Sequence, residues 1–221
     1  VNYAVDDLME FFGHAAECPE CYREQVVILW LAWSHNNRDG RIKLLLDKMC
    51  DESEDARISL LKFLCTLDGK MNEDAICYIL HFMEPQYDSP QMGEVCDNLF
   101  HHADKWDDEC QKRVAEAFVS SSLSKHKVMV FIEFLAGYAI KDPVLTLKWL
   151  EQTLANDIPD DYFIVNHVVD VLIQSYNGIK SFNDSSFQDT LEHAMDLMDN
   201  IMQNPNNKYL ITNFINKLDN E

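Results

Sequence analysis

Apolar residues recur along this chain at the three- and four-residue spacing of a helix face, and strict two-residue alternation is almost absent. One stripe runs through Phe187, Leu191, Ala194, Met195, Met198, Ile201 and Met202. Val144, Leu147, Leu150 and Leu154 make a second; Leu60, Leu61, Phe63, Leu64 and Leu67 a third; Leu210, Phe214 and Leu218 a fourth. Chain breakers are scarce, with 6 glycines and 6 prolines in 221 residues, against averages of roughly 7% and 5%. Sheet folds and α/β folds with glycine-rich loops consume more of both. An all-α fold follows.

The helix boundaries are marked by local chemistry. Ser89-Pro90 and Asp142-Pro143 each set a capping side chain before a proline at the first helical position, where the missing N–H costs nothing. Asn72-Glu73-Asp74, Ser53-Glu54-Asp55 and Asn183-Asp184 place acids at the positive end of a helix dipole. Stops are expected at Asp39-Gly40, Asp68-Gly69, Glu84-Pro85, Asn177-Gly178 and Asn204-Pro205. These signals predict about twelve helices, over 2–15, 20–36, 40–50, 54–67, 72–84, 90–103, 107–122, 126–140, 143–155, 160–177, 185–203 and 206–219.

Twelve helices in 221 residues give about 37 residues per antiparallel pair, the range of helical-hairpin repeats. Residues Leu147 to Asn156 echo Met195 to Asn204, in step along the chain. Val26–Trp33 and Val128–Leu135 are apolar nearly all round, so both need cover on several sides, as in the inner layer of a solenoid or the centre of a bundle. Paired amphipathic helices capped by Asp-Pro and Ser-Pro resemble an α-solenoid of the HEAT-like kind, which is favoured here over a compact helical bundle. The run from Asp142 to Pro205 also resembles the helical-repeat tails of large bacterial signal-transducing ATPases of the STAND type. That resemblance implies a partner-sensing array downstream of an ATPase. The chain opens on Val1 rather than Met. The expectation is a single helical-repeat domain over 1–221, excerpted from a larger protein.

Charge narrows the partners. With 18 basic and 38 acidic side chains the net charge is −20. Residues 1–110 carry 9 basic and 23 acidic groups (9 − 23 = −14), and residues 111–221 carry 9 and 15 (9 − 15 = −6). Such a surface repels phosphate backbones and anionic membranes and attracts basic proteins. A nucleic-acid enzyme built on helical repeats conflicts with it. The longest apolar run, Val26 to Trp33, falls far short of the roughly 20 residues of a membrane span. The seven cysteines form no disulfide-like framework, so reduced thiols and a cytoplasmic location are expected.

The one stretch that resembles chemistry is Cys18-Pro19-Glu20-Cys21. A structural zinc needs four soft or imidazole ligands, usually from two short-spaced knuckles. No second Cys-x-x-Cys exists; His14 and His35 flank the pair and complete a Cys2His2 set only if the first two helices pack antiparallel. A thioredoxin-like pair belongs between a strand and a helix, and no strand precedes this one. The favoured reading is an inter-helix turn with Pro19 near the first helical position and two ordinary thiols.

The remaining motifs weigh the same way. Asp51-Glu52-Ser53-Glu54-Asp55 begins like a calcium loop, but Ala56 and Lys62 stand where glycine and a bidentate acid are required; it reads as a helix cap. His101-His102-Ala103-Asp104 reads as a polar helix end, since no Glu-x-x-His or His-Glu-x-x-His accompanies it. Cys77 and His81 share one helix face, read as core packing rather than a nucleophile and base. Ser120 to Lys127 reads as a turn with Ser124 capping the next helix, with a phosphorylatable or anion-binding loop as the alternative. Met195, Met198 and Met202 read as core, with an adaptable partner groove as the alternative. Trp106, set among Asp104, Asp107 and Asp108, is either a hydrophobic staple entering a helix or an exposed anchor for a basic partner.

No catalytic residue, cofactor or nucleic acid is expected, and no membrane. The expected function is non-enzymatic protein–protein recognition on an acidic helical surface, with Trp106, Asp107 and Asp108 as candidate partner contacts. The alternative is a helical metal-binding or enzymatic domain using Cys18, Cys21, His14 and His35.

Overall fold

The computed structural model describes residues 5–15, 17–67, 73–87, 89–120, 125–155, 162–181 and 188–219. Among them are twelve α-helices and no strand. They are α1 (Val5–Ala15), α2 (Tyr22–His35), α3 (Gly40–Glu52), α4 (Glu54–Cys65), α5 (Glu73–Phe82), α6 (Met92–His101), α7 (Asp108–Ser120), α8 (Lys125–Tyr138), α9 (Pro143–Leu154), α10 (Tyr162–Ser181), α11 (Gln188–Gln203) and α12 (Lys208–Leu218). The all-α expectation holds, and each helix lies where periodicity predicts one. No helix among the described residues is long and apolar enough to cross a membrane.

Two compact units emerge, Val1–Asp107 and Asp108–Glu221. In the first, α2 packs on α3 and α4, α4 on α3, α5 and α6, and α1 on α3. In the second, α8 packs on α9 and α10, α10 on α9 and α12, α7 on α9, and α11 on α9 and α12. Each unit therefore pairs helices that are neighbours in sequence and helices that are one apart. The echoing segments fall in α9 as far as Leu154 and in α11 as far as Gln203, and these two helices pack on each other.

The stripes supply the cores. Leu60, Leu61 and Leu64 of α4 are fully buried, as are Leu147 and Leu150 of α9, and Leu210 and Phe214 of α12 are buried. The methionine stripe divides: Met198 is buried and Met195 is exposed. The near-wholly apolar α2 buries Tyr22, Val26, Leu29, Trp30 and Trp33 yet leaves Ile28 and Leu31 exposed, so its cover is incomplete.

Capping follows the sequence at two sites and departs at a third. Asp142 accepts from the backbone N–H of Leu145 at 3.0 Å with Pro143 opening α9, and Ser53 accepts from Ala56 at 3.3 Å; each such cap is worth about 1 kcal/mol. Ser89 does not cap. A turn carries the chain past Pro90, α6 opens at Met92, and the buried Ser89 hydroxyl finds no hydrogen-bond partner among the described residues. Asp39 both ends a turn and caps α3, accepting from Arg41 at 2.8 Å.

The expected stop at Asn177-Gly178 is also corrected, because α10 runs on to Ser181. Gly178 serves packing instead. A Cβ there would lie 3.1 Å from the carbonyl oxygen of Ala139, at the end of α8. The Asp68-Gly69 stop, the Asn183-Asp184 start, Asn72, Phe187 and the loop 121–124 lie outside the described residues.

Candidate functional site: an acidic aromatic cleft

In the first unit α3 and α5 both pack on α4, and they face each other across a cleft of about 350 Å³. Helical spacing builds both walls. Lys43, Asp47 and Asp51 stand four apart along one face of α3, and Asp74, Cys77, Tyr78, His81 and Phe82 share one face of α5. Trp33, in the last turn of α2, completes the lining.

An aromatic series backs this cleft. Trp30 meets Trp33 at 5.2 Å and Tyr78 edge-on at 5.1 Å between ring centroids, and Tyr78 continues to Phe82 at 6.0 Å. Phe82 meets Tyr87 edge-on at 5.0 Å. These separations lie in the favourable range for aromatic pairs. The Trp33 ring is 4% exposed, and its indole N–H finds no acceptor among the described residues.

Polar groups tie the walls together. The Tyr78 hydroxyl donates to Asp47, and Lys43 reaches the same carboxylate at 2.6 Å while its ammonium lies 5.3 Å from the centre of the Tyr78 ring. Burial, then the Asp47 carboxylate, pushes the Tyr78 phenol well above its ordinary pKa. Arg38 pairs with Asp74 at 2.6 Å. It does so from a left-handed backbone, Asn37 and Arg38 having φ of 52° and 57°, a conformation that costs non-glycine residues of order 1 kcal/mol. The exposed Asp51 receives the Tyr87 hydroxyl at 3.5 Å. His81 contacts Glu84 through Nδ1 at 3.4 Å.

The cleft thus combines carboxylates with aromatic faces, a chemistry suited to holding a cation. Cys77 is exposed and lines it, with His81. The reading of these two as core packing is corrected: both are exposed and their shared face turns to the cleft, because α5 buries Ala75, Ile76 and Ile79 instead.

The other sequence candidates fall elsewhere. Cys18 and Cys21 are brought together, Sγ to Sγ 3.4 Å, in the turn Pro19–Cys21 that leads into α2. His14 is exposed in the last turn of α1. His35 closes α2 and bonds the Leu31 carbonyl at 2.7 Å, a full helix length, about 20 Å, from Cys21. Among the described residues no group of three metal-ligating side chains forms. Trp106 is 4% exposed. That corrects its reading as an exposed anchor in favour of a buried ring ahead of α7, with Asp107 half-buried and Asp108 exposed.

Sequence reading missed Trp33, Lys43, Asp47, Tyr78 and Phe82 as a set, and took Asp51 and Asp74 for helix-end acids. The usable signal was the spacing of 43, 47 and 51 beside that of 74, 77, 78 and 81. Nothing local says that these two faces meet. No family model matches this chain, and neither a curated protein nor a solved structure matches it.

Proposed function

We propose that the chain is a non-enzymatic protein-recognition module whose α3–α5 cleft receives a basic segment of its partner. The observation that carries this reading is the union of Asp47, Asp51 and Asp74 with Trp33, Tyr78 and Phe82 in one lining. Lys43 already illustrates the preference, seated between the Tyr78 ring and Asp47. A partner's lysine or arginine gains the same two interactions beside Asp51, the least neutralised acid of the three. A cation over an aromatic face contributes about 0.5–2 kcal/mol. The net charge of −20 steers a basic partner inward and makes association salt-sensitive.

A HEAT-like solenoid is the architecture proposed to present this cleft. Its support is the alternation of contacts: α2, α4 and α6 stack in one layer and α8, α10 and α12 in another, while α7, α9 and α11 line up beside the latter. A bundle has no need of that one-apart regularity. The resemblance of Asp142 to Pro205 to sensor tails of signal-transducing ATPases belongs to the same proposal.

The test is fluorescence anisotropy with a labelled arginine- and lysine-rich peptide and an acidic peptide of equal length, at low and moderate salt. The basic peptide is expected to bind and to weaken with salt, and the Asp51→Asn, Asp74→Asn double variant to bind about tenfold more weakly. Equal binding of the acidic peptide, or an unchanged double variant, overturns the proposal.

A further inference from the structure

The seven cysteines occupy three environments. Cys50, Cys65, Cys96 and Cys110 are buried, Cys77 is exposed, and Cys18 and Cys21 are both partly exposed with their sulfurs 3.4 Å apart. A disulfide requires about 2.05 Å, so a closure of about 1.4 Å by side-chain rotation suffices. The backbone is already shaped for it. The Cys21 N–H donates to the Cys18 carbonyl at 3.0 Å, closing a single tight turn that Pro19 opens. Downstream, Tyr22 is buried and donates its hydroxyl to Glu52 at 3.0 Å, which anchors the start of α2 to the end of α3. Pro19 and Glu20 are exposed, leaving the turn open to a small reagent.

We infer that Cys18 and Cys21 form a reversible dithiol–disulfide pair that exchanges with small disulfides of the glutathione class. The Cys18 thiolate attacks one sulfur of the small disulfide, breaking its S–S bond and forming a mixed disulfide while one thiolate leaves. The Cys21 thiol then gives up its proton, attacks Cys18 Sγ and expels the second thiolate. Both departing thiolates take up the two cysteine protons. Two electrons pass from the cysteine pair to the small disulfide, which becomes two thiols.

The roles follow from the geometry. The Cys21 S–H donates to Cys18 Sγ, an arrangement in which Cys18 attacks and Cys21 resolves. That hydrogen bond to Cys18, with the charges of Glu20 and Glu24, also holds the Cys21 proton on above its ordinary pKa. The exchange is accordingly slow at neutral pH and faster in mild alkali. It is independent of the cleft and of any partner.

The experiment equilibrates the whole protein with reduced and oxidised glutathione buffers, alkylates free thiols, and cleaves with trypsin. Residues 1–23 hold Cys18 and Cys21 as their only cysteines and Arg23 as their only basic cleavage point, so one peptide reports the pair. In oxidising buffer that peptide should lose two hydrogens, carry no alkyl group and carry no glutathione. Its alkylated form should fall about tenfold, while the buried Cys50 and Cys65 stay unmodified until unfolding. Cys18→Ser and Cys21→Ser should each trap one glutathione on the remaining sulfur, with far-ultraviolet circular dichroism unchanged. Two glutathiones on the wild-type peptide, or full alkylation at every buffer ratio, overturns the inference.

Discussion

The hydroxyl of Tyr78 donates to the carboxylate of Asp47, joining α5 to α3 across the cleft. The bond does two things. It holds the aromatic ring so that one face meets the Lys43 ammonium, and it leaves Asp47 shared between a neutral donor and a cation. Removing the hydroxyl without the ring separates the first role from packing. Tyr78→Phe is expected to lose about 1–2 kcal/mol, read as a lower urea midpoint at neutral pH. Asp47→Ala should lose a similar amount, and the double variant less than the sum, since both delete one bond. Strict additivity would mean that the bond contributes nothing.

Alkaline pH should weaken the fold. Burial pushes the Cys50 and Cys65 thiols from 9.0 up to about 12 and the Tyr138 phenol from 10.0 to about 12; Tyr78 moves the same way. The folded protein keeps these protons while the unfolded chain releases them. Their contribution to stability is therefore complete below the ordinary values and is lost as pH rises towards 12. Urea midpoints measured from about pH 8 to about pH 11 should fall throughout that interval. A flat or rising curve would contradict the burial argument.

Gly178 reports on how closely α10 meets the end of α8. Alanine in a helix interior normally gains about 1 kcal/mol over glycine. Here its Cβ meets a backbone oxygen at 3.1 Å, which cannot swing aside as a side chain can. Gly178→Ala is expected to lose stability by about 1–2 kcal/mol net, seen as a lower melting temperature. A stabilised variant would show that the helices separate freely at this point.

Two serine- and aspartate-proline junctions that look alike in sequence should respond oppositely. Asp142→Ala removes a cap bonded to Leu145 and should cost about 1 kcal/mol. Ser89→Ala removes a buried hydroxyl with no partner among the described residues and should be neutral or stabilising by up to about 1 kcal/mol. Chemical denaturation of the two variants side by side decides it.

The helices themselves were legible because their signals are local. A 3.6-residue stripe such as Leu147, Leu150 and Leu154 marks a buried face wherever its partner lies, and Asp142-Pro143 caps α9 through a bond to Leu145, three residues on. The turn at Cys18 to Cys21 was legible for the same reason, its proline and spacing permitting one tight turn.

Only the tertiary structure decided which apolar residues face inward and which acids gather. Cys77 and His81 share a face in any helix, but packing on α4 directs that face to the cleft. Trp106 sits among acids and is nevertheless buried, and Gly178 continues a helix where a glycine after asparagine commonly ends one. Asp47 and Asp74 lie far apart along the chain and become neighbours through packing, a non-local event that periodicity does not encode. Amphipathic spacing determines that a helix has an inside; the neighbours it meets determine what the outside can bind.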